Sequence, residues 1–537
     1  MTEVLPHGVS EAALSKALDR FVAALGPDAV FTDEEQLRAF RDPFTFAMWD
    51  DHWGAAVLQP ETVEQVQEIV RIANELQIPL WTSSQGNNNA YGGAAPVLRG
   101  SVQINLRRMN RVLEVNEALG YAVVEPGVSF FDLYHHLRAH GHKLWPQLPD
   151  ISWGSVIGNT VDHGIGVGRP GQHADRAAGM EVVLADGEIL RTGMGALPGS
   201  GAWHAYKRGF GPALDPIFMQ SNFGIVTKMG VWLVPEPETY RLGTIAAEGE
   251  DGLKALVDGI RPFVLDGTIE GGLALTSGVD TRQLVALREA IRRGDGPTAE
   301  EGAAMIKQRV RERAGHFWSL RWGMYGPPDV IDAQWAHIQR GFAGVAGVEF
   351  GEVTYRGADV HTEAANHAEK CSAGVANDEL LALVDLWEGV GGHLDFSPTA
   401  PLNGADAVAL TKLLRPIFED AGLLYNPTFS IVGRTMFHVV PTFFDTSDEA
   451  QVRAAFDELF PKALAATAAA GYGLYRTHVH FMEAVMDTYS FNDHVLRRFL
   501  ETIKDAVDPN GVLSPGKSGI WPQRLRPERA SDELRWS

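Results

Sequence analysis

The run Ser83–Pro96 holds Gly86, Gly92 and Gly93 together with Asn87, Asn88 and Asn89, just after the apolar Ile78-Pro79-Leu80-Trp81. Glycine and asparagine let a backbone turn tightly and enter positive φ. Successive N–H groups in such a loop can converge on an anion, and a pyrophosphate suits it. Tyr91 is the odd member, a bulky phenol among small residues. A second stretch dense in small residues, Leu148–Thr160, has one acid at its entrance, Asp150, and contains Ser155 and Asn159. Later, Gly391-Gly392 precede His393, as where a ring must approach closely. Tyr475 and Arg476 are adjacent and, taken alone, read as a strand-end aromatic beside a solvated arginine. His478 and His480 then fall on one face of an expected strand without an evident third ligand, so no metal centre is expected.

Two nucleotide-binding patterns are rejected. Gly511–Ser518 fits the Walker A spacing, and Gly166–Gly171 fits the dinucleotide fingerprint. A phosphate loop needs a strand before it and a helix after it. Here a helical pattern precedes Gly511, Pro522 follows soon after, and Pro515 removes an N–H that a phosphate would use. The second match lacks an apolar strand before it and has Pro170 where its helix should start.

The elements that must position these residues alternate in type. Ser10–Leu25 reads as a helix with Leu14, Leu18, Phe21, Val22 and Leu25 on one face. Ala55–Leu58 reads as a strand, and Thr62 with Gln65 as a capping box opening a helix that buries Val66, Ile69, Val70 and Ala73. Ser129 and Asp132 mark another helix start. Asp186-Gly187 predicts a hairpin within Met180–Thr192. Ile225, Met229, Val231 and Leu233 alternate as along a strand. After Pro235-Glu236-Pro237 the texture changes, which places a domain boundary near residue 240. Helical runs such as Thr298–Ala314 and Asp406–Arg415 then mix with short strands, and a last helix carries Leu496, Phe499, Leu500, Ile503 and Val507.

With 537 residues the chain has room for two or more domains. A net charge of −22 argues against nucleic acid and anionic membranes as partners. The single cysteine, Cys371, cannot form an internal disulfide. With no basic-then-apolar leader and no long apolar run, a cytoplasmic location is expected.

Read together, seven ordered blocks resemble the vanillyl-alcohol oxidase family of flavoproteins, in particular its bacterial eugenol-oxidase and 4-alkylphenol-oxidase branch. They are Asn89–Pro96, Pro149–Ser155, Arg191–Pro198, Gln220–Lys228, Gly391–His393, Tyr475–His478 and Pro515–Pro522. The resemblance implies an α+β, two-domain flavoprotein. A non-Rossmann FAD-binding domain would span residues 1–240, completed by 495–537, with an α/β cap over 241–494. It implies oxidation of para-substituted phenols, with hydride passing from the benzylic carbon to FAD through a phenolate and a quinone methide, and O2 reduced to H2O2.

On that resemblance Tyr91, Tyr475 and Arg476 bind the phenolate, and Asp150 lies near the flavin and steers water. His393 bonds the flavin covalently and His52 assists the attachment. Gly86, Asn87, Asn88, Asn89, Gly92, Gly93, Ser155, Asn159 and Ile225 contact the cofactor, while Lys517 faces its pyrimidine end or a phosphate. A homodimer is expected, because the insertion that builds octamers in a fungal member is missing after Leu197-Pro198. The rival reading is a flavin dehydrogenase of the same fold acting on a hydroxy acid or sugar lactone; the two tyrosines and the arginine speak against it, since such substrates carry no phenol.

One position departs from the family pattern: Val167 stands where close relatives have a pocket tyrosine. The expected consequence is a wider pocket that takes bulkier rings, such as those with two methoxy groups. Val167→Tyr should shift kcat/KM towards unsubstituted rings; identical selectivity in variant and parent would remove the idea.

Overall fold

A computed structural model describes residues 4–44, 51–169, 171–277, 281–385 and 391–526. Pro170, which entered one exclusion above, lies outside the described residues. The described residues build three principal sheets and a two-stranded ribbon.

The first sheet has the strand order Val30–Phe31, Ala56–Leu58, Val102–Asn105, Leu80–Ser83. The inner pairs are parallel, which requires crossover connections, usually helical. The Val63–Leu76 helix supplies one. Its N-cap Thr62 accepts from Gln65 N–H at 3.3 Å, while the Gln65 side chain accepts from Glu61 N–H at 2.7 Å, so the expected capping box is offset by one residue. Val66, Ile69, Val70 and Ala73 are fully buried against the Glu11–Leu25 helix and the sheet. Leu80–Ser83 then delivers the chain straight into the glycine-rich loop.

The second sheet is antiparallel, with order Val112–Asn116, Tyr121–Val124, Ile225–Trp232, Ala177–Val183, Ile189–Arg191. The predicted hairpin is present, with Val183 opposite Ile189. Ser129 and Asp132 form a full capping box at the head of the Phe130–Ala139 helix. The alternation expected along Ile225–Trp232 does not appear in its burial, because this central strand is covered on both faces.

From Thr239 onward an eight-stranded sheet dominates. Its path runs Glu349–Arg356, Thr239–Glu248, Phe317–Gly326, Leu273–Thr276, Thr428–Val432, Thr435–Asp445, Gly391–Phe396, and Thr399–Pro401 also pairs with Thr435–Asp445. One face carries Ile245, Leu275, Leu320 and Phe429 and is closed by the Gly249–Leu265 and Gly404–Asp420 helices. The opposite face looks towards the first two sheets.

Two sequence expectations are corrected here. His478 and His480 belong to a single 3-10 turn rather than a strand: His480 N–H donates to His478 Nδ1 at 3.1 Å, so the first histidine caps the second. The Phe491–Val507 helix exists, but only part of its apolar stripe packs inward. Leu500 and Ile503 meet the core, while Leu496, Phe499 and Val507 are exposed and Arg497, Glu501 and Lys504 are buried. The buried charges all have partners, which is why the helix can bury them.

Those partners fasten the C-terminal segment to the first half of the chain. Lys504 Nζ donates to Asp508 Oδ2 at 2.6 Å and to the carbonyls of Asn222 and Leu513, each at 2.7 Å, and both charged side chains are fully buried. Asp508 in turn accepts from the Val512 and Leu513 N–H groups. Further along, Lys517 Nζ donates to Asp162 Oδ1 at 2.9 Å, and Asp162 Oδ2 accepts from Arg476 Nε at 3.1 Å. Burial alone would raise the Asp162 pKa, but Lys517 and Arg476 outweigh it and hold the carboxyl at about 2.

Lys504→Ala leaves the Asp508 charge buried without its cation and should lower unfolding free energy by about 3–5 kcal/mol, read from urea midpoints at constant slope. Asp162 has a depressed folded pKa, so its contribution of about 2 kcal/mol is complete above the ordinary aspartate value and is lost as pH falls towards the folded one. The stability gap between the parent and Asp162→Asn should therefore be constant from neutrality down to about pH 4 and close towards about pH 2.

Candidate active site

Between the first two sheets and the eight-stranded sheet lies a cavity of about 450 Å³. Most residues singled out from sequence line it: Gly86, Asn87, Asn88, Asn89, Tyr91, Gly93, Asp150, Ser155, Asn159, Ile225, His393, Tyr475, Arg476 and Lys517. Gly92 and His52 do not. A side chain at Gly92 would collide with Val479 at 2.4 Å, so this glycine serves packing under the loop. His52 is buried behind the loop, where Nδ1 meets the Pro96 carbonyl at 2.7 Å and Nε2 faces His480 Nδ1 at 3.5 Å. Burial drives its pKa down to about 4, so it is neutral at pH 7. The loop takes positive φ at Gly86, Gly92 and Gly93, as expected of its glycines, and also at Ala90, whereas the three asparagines do not enter that region.

At one end of the cavity Arg476 lies across the Tyr91 ring, its Cζ 4.1 Å from the centroid. Arg476 also donates to the Asn88 side-chain oxygen and to Asp162. Tyr475 packs against Phe437 with centroids 4.5 Å apart and the rings tilted by 58°, and its carbonyl accepts from Gln220 Nε2 at 2.8 Å. Burial pushes the Tyr475 phenol up to about 12 and Tyr91 well above its ordinary value, with Asp395 adding to both. Both phenols therefore keep their protons and remain donors. Asp162 is shared by two cations, which leaves one positive charge uncompensated within that trio.

Asp150 stands on the wall formed by Leu148–Asn159, its side chain 47% exposed, into the cavity. His367 Nε2 is 3.1 Å from its Oδ1, and His367 Nδ1 is 2.9 Å from Asn377 Oδ1. That Asn377 oxygen also accepts from Glu379 N–H, and the amide nitrogen donates to the Val375 carbonyl, which fixes the orientation of the amide. Both imidazole nitrogens thus face acceptors, and His367 is a doubly protonated cation against an ionised Asp150. Burial opposes the charge, yet Cys371 and Asp150 raise the histidine well above its usual value, and His367 lowers Asp150. Asp150, His367 and Cys371 offer ligand atoms within 4.8 Å of one another, but both histidine nitrogens are already engaged in hydrogen bonds.

His393 sits in the Gly391–Phe396 strand with Nε2 3.0 Å from Asp395 Oδ1 and Nδ1 3.3 Å from Asn89 Nδ2, stacked on Phe443. The two glycines before it make room for protein: a Cβ at Gly392 would meet Phe444 at 2.5 Å, and one at Gly391 the Val384 carbonyl at 2.2 Å.

Sequence reasoning missed Asp162, His367, Asp395 and Arg321. Asp395 lay two residues beyond His393 and was within reach of a strand-period reading. His367 and Arg321 come from helix and strand far from any glycine-rich block, and only folding brings Arg321 to the cavity and His367 behind Asp150.

The cavity fits an extended cofactor. Thr82 Oγ1, Asn89 Oδ1 and Asn222 Oδ1 are buried on its walls without hydrogen-bond partners, and such orphans call for a polar occupant. Gly86 and Gly158 bring backbone to the wall where a Cβ would strike Ala94 or Ser84.

Comparison with known proteins gives that occupant its identity. An FAD binding domain matches residues 54–193, and the C-terminal domain of FAD linked oxidases matches 401–518. The chain is 33% identical over 524 residues to the 4-cresol dehydrogenase [hydroxylating] flavoprotein subunit of Pseudomonas putida, spanning 96% of this chain and 98% of that one. It is 38% identical, with a TM-score of 0.87, to the structure of 4-ethylphenol oxidase from Gulosibacter chungangensis in its isoeugenol complex, covering 97% and 100% of the two chains. For substrate-bound p-cresol methylhydroxylase the values are 32%, 0.86, 96% and 99%. The cofactor of this two-domain oxidoreductase is FAD, and the chain belongs to the vanillyl-alcohol oxidase family of flavoproteins.

Proposed function

We propose that this protein oxidises para-substituted phenols by hydride transfer from the benzylic carbon and returns the electrons to O2 as H2O2. The observation that carries the reading is the convergence of Tyr91, Tyr475 and Arg476 at one end of the cavity. A free phenol has a pKa of about 10, and ionising it at neutrality takes about 4 kcal/mol. Two protonated tyrosines can donate to the phenolate oxygen, and the charge that Asp162 leaves uncompensated supplies the rest. The ionised oxygen then pushes electron density through the ring, which makes hydride loss from the para substituent possible and yields a quinone methide. Bound FAD would accept that hydride.

Asp150, kept ionised by His367, would stand beside the electron-poor carbon and orient an attacking water. His393, held between Asn89 and Asp395 on the cavity wall, is the residue we assign to covalent attachment of the flavin. We also infer that residues 1–240 with 495–537 form the FAD domain and 241–494 the cap. O2 as acceptor rests on likeness to the 4-ethylphenol oxidase; the other relatives are named as a dehydrogenase and a methylhydroxylase.

The test is a panel of para-alkylphenols, allylphenols and benzylic alcohols with their O-methyl ethers, following flavin bleaching without O2 and peroxide with it. Phenols should bleach the flavin and the ethers should not; equal rates for both would end the proposal. Tyr91→Phe removes one donor to the developing anion and should lower the anaerobic reduction rate by about 10²-fold, while leaving the flavin content of the purified protein unchanged.

A further inference from the structure

Arg321 is the cation that the proposed chemistry does not use. It lines the cavity from the middle of the Phe317–Gly326 strand. Arg476 and Lys517 share Asp162, and His393 has Asp395. The Arg321 side chain has no hydrogen bond or ion pair among the described residues, and its Nε is buried without an acceptor. Asp150 is near enough to feel its field, yet its hydrogen-bonded partner is His367. A guanidinium sheltered from bulk water normally meets an acceptor, so the missing one belongs to a ligand.

Sheet register says where that ligand atom lies. Arg321 is directly opposite Ala274, Ala274 opposite Ser430, and Ser430 opposite Phe437. Directly paired residues share a face of a sheet, and adjacent strands lie about 4.8 Å apart. The row therefore runs about 14 Å, with Arg321, Ala274 and Ser430 on the cavity wall and Phe437 at the far end, where the cavity-lining Tyr475 packs against it. The two positions between them, Ala274 and Ser430, are small and leave room for a ring. Asp150 lies towards the Arg321 end, as its electrostatic coupling to Arg321 requires.

We propose that Arg321 binds a carboxylate on the para side chain of the substrate, so that the protein acts on phenols whose short side chain ends in an acid. The inference rests on the phenol reading above and adds the second anchor. The hydroxyl is gripped at the Tyr475 end, the carboxylate at the Arg321 end, and the carbon that loses hydride is suspended between them near Asp150. The carboxylate takes no part in bond making; it holds the side chain extended. Arginine suits the task because its planar fork meets a carboxylate with two parallel hydrogen bonds.

The test compares 3-(4-hydroxyphenyl)propanoate with its methyl ester and with 4-propylphenol, in the parent holoenzyme and in Arg321→Gln and Arg321→Lys. The acid should exceed both neutral phenols in kcat/KM by tenfold or more in the parent, chiefly through KM. Arg321→Gln should erase that ratio, and Arg321→Lys should restore part of it. An acid-to-ester ratio near one in the parent overturns the inference without any variant, so misfolding of a variant cannot shelter it. A ratio that persists in Arg321→Gln also overturns it. If 4-propylphenol is oxidised and the acid has no advantage, only this inference falls. If none of the three reduces the flavin, the phenol reading falls and takes the inference with it.

Discussion

A carboxylate with two cations on it, Asp162 between Arg476 and Lys517, is the interaction on which the working end of the cavity depends. Its three members come from the Leu148–Asp162 stretch, from the loop after the Phe460–Ala469 helix and from the C-terminal return. No local propensity brings those segments together. Arg476 also reaches Asn88 in the glycine-rich loop and covers Tyr91, so one guanidinium fixes both a hydroxyl donor and the loop that presents it. Breaking a buried ion pair strands a charge and costs several kcal/mol, which explains why such a polar site can hold a single geometry.

The cavity sorts its groups by charge state through their surroundings. Tyr91 and Tyr475 are buried near Asp395 and keep their protons, so they remain donors. His367 is equally buried, yet both of its nitrogens face acceptors, and it stays charged. His52 and His480 are buried against each other and are neutral. Depth alone would have treated all three histidines alike; the partner atoms decide.

Several glycines that look designed for a cofactor turn out to serve the protein. Gly92 admits Val479, while Gly391 and Gly392 admit Val384 and Phe444. The same packing seats the 3-10 turn of Val479–Phe481 beneath the loop and sets the strand that carries His393. Cofactor cradle and core are thus one set of contacts, and a side chain added for either reason would disturb both.

Sequence alone determined the features that depend on near neighbours. Periodicity placed the Val63–Leu76 helix and its buried stripe, Asp186-Gly187 placed the hairpin, and the glycines of Ser83–Pro96 signalled positive φ at Gly86, Gly92 and Gly93. Ordered blocks far apart in the chain also identified Tyr91, Asp150, His393, Tyr475 and Arg476, which line one cavity. Tertiary structure decided what no window of sequence contains: that Asp162 is shared by two cations, that His367 rather than a neighbour in sequence holds Asp150, that the last helix turns charged residues inward, and that one register row runs from Arg321 to Phe437, against which Tyr475 packs. The reason is physical. Helix and turn signals are written within a few residues, whereas the partner of a buried charge and the register of a sheet are fixed only when distant segments pack.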